Sequence, residues 1–377
     1  MKEVRDSTTP TISVIRPQSP QVKKGVCYLL FAFELGLSIN LDEASRKIKL
    51  SFERMKFRRN SRAPKHFDYD PPPLRIAQHG EQINVGKYFT KPQADLTLFD
   101  FGACSVCYEI DLSGPLSHLI ELSEVVYDNA HLIEDARIRV KGLLEELGEA
   151  VARPNLNEAI EDFTVYHIQT LEGDLPPVQL VKDHPRELAR LLRAESEDLG
   201  DEEVNEAIHS RTSYSSNDCA VVDWNSGLFL GQNAQDFVAV MEFCNVELLE
   251  MRFLDEQLDD HLEQAYQILM TEKKGGADLS KIARLQVDSV ILYEAVENAL
   301  KLLGDQYLAR VYTLASAKFH LPDWNASILR KLDTLDSIYN KMSDKAAQRR
   351  SEMLEWIIIL LILFEILWTI SEKTLMS

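Results

Sequence analysis

Cys104 and Cys107 are separated by Ser105 and Val106, the spacing at which two thiolates can chelate a metal ion or cycle as a redox pair. Both fall in residues 94–110 (ADLTLFDFGACSVCYEI), a β-branched and aromatic run between Pro92 and Pro115 that reads as a central strand or hairpin with Gly102 at a bend. Strand residues three apart point to opposite faces, and no second C-x-x-C or C-x-x-H completes a site. Two small buried hydrophobes are therefore expected. The nine histidines form no HExxH, H-x-H or Cys/His cluster. His118 and His131, with Glu134 and Asp135, make only the kind of pairing that any acidic chain offers. There is no GxxxxGK[ST] loop, no GxGxxG after a strand and no GxSxG elbow. The acidic runs 195–206 and 255–263 lack a calcium-loop pattern and read as solvated helix faces. No cofactor or metal is expected from these patterns, and they leave any catalytic residue unknown.

Charge carries more information. The chain is 45 % hydrophobic and 27 % charged with a net charge of −19, but residues 1–99 hold 17 Lys+Arg against 10 Asp+Glu and the rest holds 24 against 50. Such asymmetry suggests two surfaces with different partners. Its focus is residues 46–65, where Arg46, Lys47, Lys49, Arg54, Lys56, Arg58, Arg59, Arg62 and Lys65 face the single acid Glu53. Interleaved Phe52 and Phe57 could stack on bases or dip into a lipid interface, so RNA, a ribosome or anionic lipid is the expected contact. The bland alternative is a solvated loop. Five cysteines make no disulfide framework, which points to a reducing compartment. The opening Met-Lys-Glu-Val-Arg-Asp has neither the apolar core of a secretory signal nor the acid-poor character of a transit peptide.

The elements that must position these groups read as follows. Residues 1–22 mix Ser, Thr, Pro and Gln without period and read as a disordered arm. Residues 23–232 read as an α+β domain. It opens with the apolar run 26–37, then Asn40 as a helix cap for residues 41–48. The basic segment ends in the rigid Pro71-Pro72-Pro73 linker. Two helices are expected within 116–151, strands at 163–171 and 213–230, and an acidic helical segment around 183–208. Residues 233–352 form a helical bundle or coiled region, since Phe237, Met241, Cys244, Leu248, Met251, Leu258, Leu262, Ala265 and Leu269 keep a 4-3 seam and Gly275-Gly276 turns the chain toward a second helix.

Residues 353–370 are apolar except Glu355, Glu365 and Thr369. As a helix they would span roughly 27 Å, enough for a thin bilayer core. Apolar side chains at about −0.3 to −0.6 kcal/mol each outweigh an off-centre Glu of about 3 kcal/mol at most. Trp356 and Trp368 sit where interfacial aromatics belong. Lys341, Lys345, Arg349 and Arg350 precede the run and only Lys373 follows it. The expectation is a single-pass transmembrane helix, the body facing the cytoplasm. The rival is a buried oligomer helix, because Ile328, Leu332, Leu335, Tyr339, Met342, Ala346, Met353, Trp356, Leu360 and Leu363 keep a 4-3 spacing broken at Arg349. The two readings combine if a long helix pairs before it enters the bilayer. Leu335, Trp356, Glu365 and Trp368 are thus the candidate membrane and oligomer residues, in a homo-oligomer. Glu365 marks a helix contact, a polar pathway or a shallow position.

Several stretches resemble the "required for meiotic nuclear division" family: LEWIIILLILFEI (354–366) after an arginine pair, LTLFDFGACSV (96–106), DNAHLIEDARIRV (128–140) and YLARVYTLA (307–315). The likeness covers roughly residues 90–370 and, more weakly, 26–50. It implies an α+β body, a helical second half and one terminal membrane helix, with mitochondrial members at the inner membrane supporting organellar translation. It implies no active-site residue, and the chain departs from the mitochondrial members in lacking a transit peptide. The reading is a mixed sheet with helices, then a long-helix bundle or hairpin, then one transmembrane helix. Functionally it is a non-enzymatic, tail-anchored scaffold on the cytoplasmic face of an inner membrane, or the mitochondrial inner membrane for an organellar member, that tethers or organises translation components. The alternative is a hydrolase-like enzyme with its site in the sheet around Asp100 and Glu109.

Overall fold

The computed structural model describes residues 19–48, 52–54, 71–173, 175–270, 280, 283, 284, 286, 287, 290, 293 and 306–375. Its strands are β1 (Gln21–Glu34), β2 (Ser38–Ile39), β3 (Phe52–Arg54), β4 (Leu74–His79), β5 (Asn84–Val85), β6 (Tyr88–Phe89), β7 (Gln93–Leu98), β8 (Ala103–Pro115), β9 (Val151–Ala152), β10 (Ile160–Leu171), β11 (Arg211–Thr212), β12 (Cys219–Val222) and β13 (Ser226–Leu230). Nine of them form one sheet in the order β11-β12-β13-β10-β1-β8-β7-β4-β3. Among the described residues only β10 and β13 pair in parallel. The expected arm 1–22 lies mostly outside the described residues, and β1 already begins at Gln21.

Strand β1 is the spine, paired along most of its length with β8 on one side and β10 on the other. It is apolar almost throughout because both of its faces are covered. Cys27, Leu29, Phe31 and Phe33 enter one core, while Leu30 and Ala32 enter others on the opposite face. The first face is covered by α1 (Leu41–Lys47), α2 (Leu116–Val126), α3 (Ala130–Leu147), α4 (Pro177–Asp183), α5 (Pro185–Arg193) and α6 (Asp201–His209). The second is covered by α7 (Gln235–Met270) and α8 (Gln306–Lys318). Each large apolar side chain so buried contributes about 1.5–3 kcal/mol relative to exposure, so this α+β sandwich is held by two apolar layers.

Local signals set the element ends. Asn40 and Asn129 cap α1 and α3 by accepting from the amides of Glu43 (3.0 Å) and Leu132 (3.1 Å). The β7–β8 hairpin turns at Gly102 with φ +111°, where an added Cβ would lie 1.9 Å from the Gly36 carbonyl oxygen. Only glycine fits there.

Beyond the sheet, α7 runs on to pair with α9 (Leu321–Leu375). Met251, Leu254 and Leu258 pack with Ile328, and Ala265 packs with Leu335 and Ile338. The upper 4-3 seam is thus the inside of a hairpin within one chain. Most of the second helix expected after Gly275-Gly276 lies outside the described residues.

One expectation is overturned. Among the described residues no helix is long and apolar enough to cross a membrane. The apolar stretch whose side chains are described, Met353–Trp368, amounts to about 24 Å of helix against a hydrocarbon core of about 30 Å. Extending it upstream adds Glu352 to Glu355 and Glu365. The single-pass, tail-anchored architecture is corrected accordingly, and with it the inner-membrane location and the terminal transmembrane element of the fold.

Candidate functional site

The sequence candidates scatter. Cys104 and Cys107 are buried in apolar clusters on opposite sheet faces, and burial pushes both thiols up, which leaves them inert. Among the described residues no group of His, Cys, Asp and Glu is arranged to hold a metal. His131 is exposed, and Asp135 instead accepts from Tyr108 Oη and Arg139 Nε, both at 2.5 Å. Asp100 sits in the β7–β8 turn, whereas Glu109 lies along β8 with Lys91 at 2.5 Å. These two acids do not converge on a cleft.

Of the basic segment, Arg46 is exposed. Lys47 pairs with Glu43 at 3.1 Å and donates to the Leu147 carbonyl at 3.1 Å, closing the end of α3. Arg54 lies in β3 beside Leu74, and its side chain is outside the described residues, as are Lys49, Lys56, Arg58, Arg59, Arg62 and Lys65.

Sequence reasoning did not find a cavity among the described residues. About 810 Å³ opens where the end of α2 (Tyr127, Asp128), the start of β10 (Ile160–Asp162) and the β12–β13 turn (Trp224, Asn225) meet α7 (Asn245, Leu248, Arg252) and the α8–α9 corner (Lys318–His320, Asp323, Trp324, Ser327). Five segments far apart in the chain build it, and no local motif announces such a site. The corner turns at His320, whose φ is +55°, and Asp128 likewise has φ +49° where α2 ends.

Its cations are engaged. Arg252 pairs with Glu161 and lies 5.8 Å over the Trp324 ring. Lys318 pairs with Glu206 at 2.6 Å and reaches Asp223 at 3.4 Å. Asp223 is fully buried and also meets Arg193 at 2.7 Å. Burial raises its carboxyl despite those two cations. Burial, then the charge of Asp128, raises Asp162, against a hydrogen bond from Asn225.

A second hidden feature is a row of acids on α7. Glu242, Glu247 and Glu250 are all at most 4 % exposed. Glu247 accepts from Tyr312 Oη at 3.1 Å, Glu242 lies against Thr97 and Ser105 with Arg75 nearby, and Glu250 meets Glu34. The 4-3 seam hides them because α7 is covered on more than one side.

The last feature is the arm of α9. From Met353 to Trp368 every apolar side chain is 46–65 % exposed, all round the helix. Trp356 and Trp368 are among them, and Glu365 is exposed as well. Leu335, by contrast, is fully buried within the chain.

Comparison with known proteins adds a family. Residues 24–236 match the profile of the family described as "Uncharacterized protein MJ0711, N-terminal domain". "Uncharacterized protein MJ0711" of Methanocaldococcus jannaschii is 29 % identical over 258 residues, which cover 66 % of this chain and 78 % of that protein. No solved structure matches. The resemblance to the "required for meiotic nuclear division" family is corrected by these matches, which do not point to it. A helical run of Leu and Ile between acids is set by general hydropathy and recurs widely, so it identifies a family poorly.

Proposed function

The chain belongs to the family described as "Uncharacterized protein MJ0711, N-terminal domain", and from that premise we propose that it is a self-assembling, non-enzymatic scaffold joined through the α9 arm. The carrying observation is the arm itself, Met353–Trp368, apolar all round and uncovered. A helix that is apolar on every side is stable in water only when other apolar surface covers it. A second copy supplies that surface. Met353, Trp356, Leu360 and Leu363 keep the 4-3 spacing of a helical seam, and the same helix has already used its Ile328–Ile338 stretch on α7. Because Ile357, Ile358, Leu361 and Ile362 broaden the stripe, the assembly has more than two helices in contact.

Such an assembly contains the basic segment 46–65 several times over. Linked copies raise affinity for a long polyanion by effective concentration, and RNA is the partner that fits. Sedimentation velocity on the full chain in detergent-free buffer tests the scaffold. A discrete oligomer is expected, converted to monomer by Ile358→Asp with Leu361→Asp, and binding of a structured RNA should fall with that conversion. A monomeric full chain at tens of micromolar (about 50 µM, a concentration well above typical interface Kd values) sinks the reading.

A further inference from the structure

The geometry points to the cavity at the α8–α9 corner as a binding site for an organic cation, an alkylammonium or quaternary ammonium ion seated on Tyr127 and Trp224 and neutralised by Asp128 and Asp162. It goes beyond the scaffold reading and does not depend on it.

Tyr127 and Trp224 meet nearly at right angles, 82°, with centroids 6.4 Å apart. They remain 49 % and 46 % exposed. Two half-exposed aromatic rings in a concave wall give π-surface to what enters, and an ammonium ion is the partner such surface attracts. The cavity already contains that contact, since Arg252 lies 5.8 Å over Trp324.

The carboxylates make the second, independent observation. Asp128 follows Tyr127 directly and Asp162 opens from β10, close enough for the charge of one to raise the other. A positive ligand between them relieves that repulsion. The cations of the wall do not supply it: Arg252 is held by Glu161, and Lys318 by Glu206 and Asp223. A neutral sugar would use the rings but gain nothing from the acids. The volume, 810 Å³, admits an amine with a chain of several carbons.

Isothermal titration of the full chain with 1,5-diaminopentane and with choline tests this, using 3,3-dimethyl-1-butanol as the uncharged isostere of choline. At least one cation is expected to bind, and the isostere to bind at least about tenfold more weakly. Trp224→Ala and Asp162→Asn should each weaken the cation about tenfold or more, with Trp224→Phe restoring part of the loss. Trp224 is half-exposed, so its replacement leaves the core intact, and Asp128→Asn gives a further variant that tolerates the left-handed backbone. Equal binding of the isostere, cation affinity unchanged in Trp224→Ala, or no heat from either cation up to about 10 mM overturns the assignment. A monomeric chain would leave every one of these results as expected.

Discussion

Glu34, at the end of β1, and Glu250, on α7, meet in the interior with their carboxyl groups in hydrogen-bonding reach of each other. Both are buried, at 2 % and 3 % exposed, so the spine of the sheet and the long helix that covers it are joined by two acids. Burial raises both. The charge of Glu250 and the hydrogen bond between the two acids raise Glu34 further, so the pair holds a shared proton between β1 and α7.

The pair makes stability fall as pH rises. Glu250 is pushed from 4.5 up to about 7, and Glu34 well above its ordinary value. The folded chain therefore binds more protons than the unfolded chain above about 4.5, and the contribution of the pair is full below that pH and lost as pH rises through about 7. Glu250→Gln should flatten this slope, so that urea unfolding at pH 5 and pH 8 gives closer midpoints than in the parent. The gain at the higher pH is on the order of 2–3 kcal/mol at most. A parent chain equally stable at both pH values would contradict it.

Gly102 predicts a contrast with Gly142. An alanine at Gly102 must hold φ +111° with its Cβ 1.9 Å from the Gly36 carbonyl oxygen. The Leu35 amide donates to Gly102 itself at 2.9 Å, so the turn cannot shift without losing that bond. Gly102→Ala should cost about 3 kcal/mol or more. In α3, Gly142 has nothing within 4 Å of an added Cβ, and Gly142→Ala should stabilise by about 0.5–1 kcal/mol. Chemical denaturation reads both signs.

Asp223 holds Arg193 at 2.7 Å and Lys318 at 3.4 Å with none of its own side chain exposed. Removing it leaves two largely buried cations without their shared acid. Asp223→Ala should therefore cost about 3–5 kcal/mol. Because Lys318 stands at the α8–α9 corner, the same change should also weaken any ligand of the cavity. A Tm within a degree or so of the parent, which corresponds to well under about 1 kcal/mol for a domain of this size, would show the network to be incidental.

The legibility of this molecule in its sequence follows from how local each signal is. Asn40 caps α1 as its position before an apolar-periodic run implies, and Gly102 marks the turn it was expected to mark. The strand at the centre is different. Residues 25–34 are buried or half-buried on both faces, so they carry no alternation and periodicity alone cannot tell such a run from a buried helix. The cavity needed Asp128, Asp162, Trp224 and Trp324 together, and their approach is a product of topology. Hydropathy of residues 353–370 suggested a bilayer. A count of Glu352, Glu355 and Glu365 against the length of the described run removes it.

Leu335 and Leu361 lie on the same helix, α9, and the final prediction separates them. Leu335 is fully buried with Ala265 and Ile338, so it belongs to the fold of a single chain. Leu361 is 62 % exposed, so it contributes little to that fold and, on the proposed assembly, is free to meet another copy. Leu335→Ala should leave a cavity and cost about 2–5 kcal/mol, read as a lower unfolding midpoint with the oligomer retained in mild conditions. Leu361→Asp puts a charge into apolar contacts between copies, so the assembly should dissociate. The unfolding midpoint of the isolated chain should stay within about 0.5 kcal/mol of the parent. Measuring mass and unfolding on both variants decides it: if Leu361→Asp lowers the midpoint and leaves the mass unchanged, the arm folds back on its own chain and the helical seam ends at the hairpin.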